Sequence, residues 1–406
     1  MTASDCAFFD ALRKSRLLTE EQLAGAKQIL AHRGGASSIS SELVRRRWLT
    51  RWQLQQIEAG HTRFQCADYT LVDVVGRGSM GIVYKALHRG NRALVALKVM
   101  SGRAAASDRR SARFQREIRL VRAVRSPYVV RALDSGCLGG RDFLVMELIP
   151  GRTLDCWIKA NRRLPVRWAC ECARQVAIGL QHVHESGLIH RDIKPSNIMV
   201  AGDSFNRRPH VRILDLGLGR FTGRLGPGED LTRDGHTVGT LDYMAPEQLQ
   251  DTRLVDIRSD IYALGCTLFE ALTGRQPFDG KDLGEKMLAK LTGEPDSLDK
   301  HREDAPTGLA ELVRQMVHQE PERRPSNPRE VADCLLKFSM PKRVKSRVPA
   351  KNLESRPVTS SPPPPTSRSK RFRWSAHGLG RTLRAGIVHC LARSGLIHGR
   401  RLRTSG

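Results

Sequence analysis

Asp192, Lys194 and Asn197 fall within the stretch His190-Arg191-Asp192-Ile193-Lys194-Pro195-Ser196-Asn197. One short loop thus holds a carboxylate able to take a hydroxyl proton, a cation two residues on, and an amide able to bind a metal ion. The three groups outline phosphoryl transfer, a reaction in which protein groups position the reactants and offset their charge. A further carboxylate, Asp215, ends the strand-like run Val211-Arg212-Ile213-Leu214 and opens Asp215-Leu216-Gly217. It is placed to hold Mg²⁺ between two phosphates.

Such groups need elements that hold a triphosphate against them. Val74-Val75-Gly76-Arg77-Gly78-Ser79-Met80-Gly81-Ile82-Val83 supplies glycines whose backbone N–H groups can close over phosphates without Cβ interference. A dinucleotide-binding loop with the same glycine spacing leads straight into a helix. Here Ile82-Val83-Tyr84-Lys85-Ala86 continues as a strand. The next strand, Leu94-Val95-Ala96-Leu97-Lys98-Val99-Met100, carries Lys98 among apolar neighbours, where a cation needs a negative partner. The spacing of Phe114, Ile118, Val121 and Val124 predicts a helix over about 108–125 with those residues buried, and Glu117 beside that face is the expected partner. Arginines at 110, 113, 116, 119, 122 and 125 step every three residues, so they wind around such a helix and read as solvated surface. Ala245-Pro246-Glu247 closes a segment that begins at Asp215 and contains Thr232, Thr237 and Thr240.

With H-R-D-x-x-x-x-N, G-x-G-x-x-G-x-V, the lysine strand and the two segment markers in order, the chain resembles the bacterial eukaryotic-like (Hanks-type) serine/threonine protein kinases over about residues 67–340. The resemblance implies an α+β, two-lobed kinase fold, with a β-rich lobe over 67–149 and a helical lobe over 150–340. It implies ATP and Mg²⁺ as cofactors and Ser or Thr hydroxyls of proteins as acceptors. Nucleotide contacts are implied at Gly76, Gly78, Ser79, Gly81, Val83, Ala96 and Lys98, with Glu117 pairing Lys98. Met146 is the implied gatekeeper, and the backbones of Glu147 and Ile149 meet adenine. Asp192 accepts the hydroxyl proton, Lys194 steadies the γ-phosphate, and Asn197 and Asp215 hold metal. Glu247 and Arg324 are the implied structural ion pair, and Asp260 braces the catalytic loop through backbone contacts. The serine/threonine type is implied by Lys194 and by Gly239-Thr240 ahead of Ala245. Arg191 is implied to grip an activation-segment phosphate, expected first on Thr237 and then on Thr232, while Thr240 engages Asp192 and Lys194.

Of 406 residues, those outside 67–340 form a leader and a tail. The net charge of +26 is concentrated in the tail, where residues 341–406 hold 16 Lys and Arg against Glu354 alone. With Ser360-Ser361-Pro362-Pro363-Pro364-Pro365 inside it, this tail is expected to be disordered. Lys370-Arg371-Phe372-Arg373-Trp374 mixes cations with aromatics, so contact with nucleic acid or an anionic membrane is the alternative to a merely solvated tail. Leu383 to Ile397 is too short to span a bilayer. Nine scattered cysteines without a C-x-x-C pair point to a reducing compartment, and Cys170 and Cys172 read as core. No apolar run approaches membrane length and the N-terminus lacks a signal-peptide charge pattern, so a cytoplasmic location is expected.

In the leader, residues 1–66, Arg16-Leu17-Leu18-Thr19-Glu20-Glu21-Gln22-Leu23 returns 31 residues later as Arg47-Trp48-Leu49-Thr50-Arg51-Trp52-Gln53-Leu54. Each Thr with the Gln three places on forms a capping box, which predicts two helical hairpins over about 8–31 and 40–59. Units this small bury little alone, so they are expected to pack on each other or on the kinase. Trp48 and Trp52 read as core rather than as DNA contacts beside Arg45 to Arg47.

The groups needed for chemistry are all present, which argues against a non-catalytic scaffold. Glu117→Ala is expected to lower phosphoryl transfer strongly and Arg119→Ala to do little, because only Glu117 lies beside the buried helix face. A steady-state assay of both variants checks this, and equal effects would show that the helix register is wrong.

Overall fold

Thr19 and Thr50 each start a helix by reciprocal bonding. The Thr19 N–H donates to Gln22 Oε1 at 2.9 Å while Thr19 Oγ1 accepts from the Gln22 N–H at 3.2 Å. Thr50 and Gln53 repeat the pattern at 2.9 and 3.1 Å. These boxes open α2 (Glu20–Arg33) and α4 (Arg51–Glu58), which alternate with α1 (Ala3–Ser15) and α3 (Ala36–Arg45). The computed structural model describes residues 3–33, 36–78, 81–101, 118–202, 204–216, 241–250 and 255–340. Phe9, Leu12, Leu43, Leu54, Ile57 and Phe64 belong to one apolar cluster shared by the leader helices, with Trp48 and Trp52 packed against it. The tryptophans are therefore structural, and Arg46 lies over the Trp48 ring at 5.2 Å.

A six-stranded antiparallel sheet follows, in the order β1-β2-β3-β4-β6-β5. Its strands are β1 (Gln65–Cys66), β2 (Tyr69–Gly78), β3 (Gly81–His88), β4 (Leu94–Met100), β5 (Ala132–Leu138) and β6 (Arg141–Glu147). Between β4 and β5, residues 118–123 form α5; Ile118, Val121 and Val124 are buried while Arg119, Arg122 and Arg125 are exposed. The apolar stripe thus faces the core and those arginines face solvent, as the spacing requires. Phe114 and Glu117 lie outside the described residues, as do Ser79, Thr232, Thr237, Thr240 and the basic tail 341–406.

The second lobe is helical. α6 (Leu154–Asn161) precedes α7 (Val166–Glu185), which is buried over most of its surface. That is why Cys170 and Cys172, two residues apart and on different faces, are both in the core. Burial pushes the Cys170 thiol up to about 12, so it acts as a small apolar group. A three-stranded sheet, β7 (Arg152–Thr153), β8 (Ile198–Ala201) and β9 (His210–Ile213), lies against this lobe's helices. Gln175 of α7 aims β9: its amide nitrogen donates to Pro209 O at 2.8 Å and its oxygen accepts from the Val211 N–H at 3.0 Å.

α8 (Pro246–Gln250), α9 (Ile257–Thr273), α10 (Leu283–Thr292), α11 (Leu298–His301), α12 (Thr307–Met316) and α13 (Pro328–Leu336) complete the described chain. Asp256 caps α9, and Gly274 ends it in the left-handed region at φ 76°, where a Cβ would come within 2.3 Å of Arg162 O. No helix among the described residues is long and apolar enough to cross a membrane.

Arg324 and Glu247 form a buried bidentate pair at 2.7 and 2.9 Å, with Ser259 Oγ donating to the same carboxylate at 2.6 Å. Burial alone would raise the Glu247 carboxyl, but the Arg324 guanidinium and Ser259 hold it below its ordinary 4.5. The stability from this lowered value is complete above 4.5 and is lost as pH falls through the folded value. Arg324→Ala strands a buried carboxylate and is expected to cost about 3–5 kcal/mol in urea denaturation at neutral pH. That cost should shrink in acid, once Glu247 is protonated.

Candidate active site

Antiparallel pairing of β8 with β9 brings the two expected metal-binding residues to one place. Ile198 faces Ile213, and one step further the Leu214 N–H donates to Asn197 O at 2.8 Å. Asn197 therefore lies beside the residue that precedes Asp215. A single 3₁₀ turn, Pro195–Asn197, sets this geometry, with proline at a position where no N–H is needed.

Asp192 is held on both sides. Its Oδ1 meets Lys194 Nζ at 2.8 Å, and its Oδ2 accepts from Asn197 Nδ2 at 2.8 Å. The same amide nitrogen donates to Asp192 O at 2.8 Å, so the side chain and backbone of Asp192 are oriented together. Because the Asn197 nitrogen faces Asp192, its Oδ1 is the atom left to serve a cation. His190 ties this loop to the β9 exit: its Nε2 lies 2.8 Å from Leu214 O, and its Nδ1 lies 3.3 Å from the Asp192 N–H. A carbonyl can only accept and an amide N–H can only donate, so the ring is the neutral Nε2–H tautomer.

Arg191 takes φ 65°, a left-handed conformation that is uncommon for a side chain of this size. Asp260, buried in α9, holds it there. Its Oδ1 accepts the Arg191 N–H at 2.7 Å, and its Oδ2 accepts the His190 N–H at 2.8 Å and meets His184 Nε2 at 2.8 Å. Burial alone would raise the Asp260 carboxyl, yet His184 and the loop amide hold it below the usual carboxylate range.

Lys98 is 4% exposed and meets Asp215 Oδ1 at 2.9 Å. The expected partner Glu117 lies outside the described residues; among the described residues Lys98 pairs with Asp215. Asp215 has φ 57°, another left-handed position at the site.

The β2–β3 hairpin adjoins Lys98 through the pairing of β3 with β4. Among the described residues, a Cβ at Gly76 or Gly78 would meet nothing within 4 Å, so these glycines border space that a ligand could fill. Gly81 differs: at φ 144° its Cβ would sit 2.1 Å from Val99 O. Pairing places Val83 opposite Lys98, and Ala96 opposite Met146. Met146 is buried. The Glu147 N–H donates to Arg131 O at 3.1 Å, so any adenine contact from Glu147 has to use its carbonyl.

Two residues that sequence reasoning passed over also shape the site. Gln248 Nε2 donates to Arg191 O at 3.2 Å while its Oε1 accepts from the Ala245 N–H at 3.0 Å, which links the segment end to the catalytic loop. Lys290 is buried in α10, donating to Asp242 O at 2.8 Å and Met244 O at 3.1 Å. Its amine lies 5.1 Å from the Tyr262 ring centroid, and burial drives its pKa down. In the sequence both looked like ordinary surface residues. Only the packing of the 241–245 segment reveals them.

The protein kinase domain model matches residues 69–336, and the chain belongs to that family. Its relatives mark the bacterial Hanks-type serine/threonine branch. Over 219 residues it is 38% identical to the serine/threonine-protein kinase PknE of Mycobacterium bovis, covering 54% of this chain and 37% of that one. Over 266 residues it is 34% identical to the serine/threonine-protein kinase pkn2 of Myxococcus xanthus, covering 64% and 31%. The chain thus spans about a third of these relatives' length. Among solved structures, the Mycobacterium tuberculosis PknI kinase domain matches with a TM-score of 0.51 at 27% identity, covering 68% of this chain and 97% of that one.

Gly81→Ala is expected to destabilise the fold by about 2 kcal/mol, from strain at positive φ and overpacking on Val99. Gly76→Ala should leave the melting temperature unchanged and weaken nucleotide binding. Thermal melts and nucleotide titrations of the two variants check the contrast.

Proposed function

We propose that this chain is an ATP- and Mg²⁺-dependent serine/threonine protein kinase whose catalytic base is Asp192. The observation that carries this reading is the Asp192 carboxylate clamped between Lys194 and Asn197 and set, through His190, against the strand that ends at Asp215. Asp192 takes the proton of the acceptor hydroxyl. Lys194, bound to that carboxylate, lies where it can steady a transferring phosphoryl group. Lys98 positions the phosphates of the nucleotide beneath the glycine hairpin. Asp215 and Asn197 Oδ1 offer the hard oxygen donors that suit Mg²⁺, an ion that commonly takes few protein ligands and completes its shell with phosphates and water. Bound Mg²⁺ supplies neutralisation of phosphate charge.

Regulation is part of the proposal. Arg191 receives a phosphate carried first by Thr237 and then by Thr232, with Thr240 near Asp192 and Lys194. Protein substrates with Ser or Thr acceptors, self-phosphorylation within a pair of copies, and a cytoplasmic setting follow from the same reading.

Phosphosite mapping after incubation with ATP and Mg²⁺ tests it. Wild type should acquire phosphate on Ser and Thr, including Thr237. Asp192→Asn should fall by at least about 10³-fold in transfer while still binding ATP, the loss expected of a unit that acts in the transition state. Transfer by Asp192→Asn near the wild-type rate would remove the base from its assigned role.

A further inference from the structure

The second capping box does more than start a helix. In the first copy Thr19 is exposed to solvent. In the second, Gln53 is buried and both side chains reach the kinase sheet. Thr50 Oγ1 donates to Val72 O at 2.7 Å, and Gln53 Nε2 donates to Leu71 O at 2.7 Å. Each group therefore serves twice: Thr50 Oγ1 accepts from Gln53 N and gives its proton to β2, while Gln53 accepts from Thr50 N with its oxygen and gives to β2 with its nitrogen.

These contacts meet β2 where it needs them. β1 is only two residues long and pairs with β2 at Tyr69 and Thr70, so beyond that point β2 is the sheet's edge. Its ladder to β3 also breaks register between Leu71 and Asp73, and again between Val74 and Gly76. A bulged edge strand presents unpaired carbonyls and bends easily. The box takes the two carbonyls at the first bulge, and the Leu71 N–H donates to Phe64 O at 2.7 Å from the segment joining the module to the sheet. Trp52 closes the contact, with its ring centroid 5.8 Å from Tyr84 of β3 and 5.8 Å from Phe64. Tyr84 in turn pairs with Val74.

We infer that the leader helices are a working part of the kinase lobe: Thr50 and Gln53 are positioning residues that anchor β2 and thereby set the glycine hairpin over the nucleotide phosphates. The inference rests on that hairpin being the phosphate loop proposed above. Gly76 lies five residues beyond Leu71 on the same strand, about 16 Å along it. An anchor at the bulge limits how far the hairpin can swing.

Gln53→Glu in the full chain separates docking from capping. Glutamate at this position still accepts from the Thr50 N–H, as in an ordinary capping box, but it has no proton for Leu71 O. Gln22→Glu makes the same change in the solvent-facing copy. Gln53→Glu is expected to raise KM for ATP about fivefold, the equivalent of one hydrogen bond, with kcat changed far less. Hydrogen exchange at residues 72–78 should quicken in parallel. Gln22→Glu should alter neither readout. Equal behaviour of the two variants, or unchanged exchange in Gln53→Glu, would overturn the inference. Should Gln53→Glu fail to fold, Thr50→Ala against Thr19→Ala gives the same comparison through the hydroxyl. The exchange arm does not need catalysis, so a wild type that transfers no phosphate would defeat the kinase reading and leave the anchoring measured on its own.

Discussion

The catalytic loop takes a shape its own residues would avoid, and the Asp260 carboxylate holds it there. A non-glycine residue at φ 65° costs of order 1 kcal/mol, and the loop has that cost at Arg191, next to Asp192. Charge-assisted hydrogen bonds to two successive backbone N–H groups offset it. The carboxylate is fully buried in α9, most of whose residues are buried. His184 on Asp260, and Gln248 on the Arg191 carbonyl, approach from two other elements. The position of Asp192 is therefore set by helices far away in sequence, and the loop has little freedom of its own.

Two buried lysines show how differently a cation can be kept in the interior. Lys98 has a carboxylate, Asp215, and that pairing joins a strand of the upper lobe to the exit of a strand in the lower one. Lys290 has two backbone carbonyls and a pair of aromatic faces, which solvate an amine less well than a carboxylate does. The first joins the two groups that the proposed reaction would use on the nucleotide and its metal. The second holds the 241–244 segment against α10, assisted by Lys286 on Asp242 at 2.9 Å.

The leader uses one sequence device in two environments. Both Thr–Gln boxes close a helix start with the same four groups, yet only the second has a bulged strand edge in front of it. Edge carbonyls left open invite pairing with other chains, and covering them with a helix is a common remedy. Here the covering element also shares Phe64 and Trp52 with the strand pair that leads into the glycine hairpin, so the leader and the sheet have continuous packing.

The spacing of His190, Asp192, Lys194 and Asn197, the glycine hairpin, and the lysine strand were all legible because each is a local pattern whose chemistry demands those residue types. So were the two capping boxes, the buried stripe of Ile118, Val121 and Val124, and the core position of Cys170 and Cys172, since periodicity and capping act within a few residues. Tertiary structure alone decided which distant groups meet. No local signal makes Gln53 a donor to Leu71, places the Lys290 amine under Asp242 and Met244, or sets Gln248 between Ala245 and Arg191. Those contacts depend on packing between elements tens of residues apart, and the polar side chains that make them look in sequence like any solvated residue.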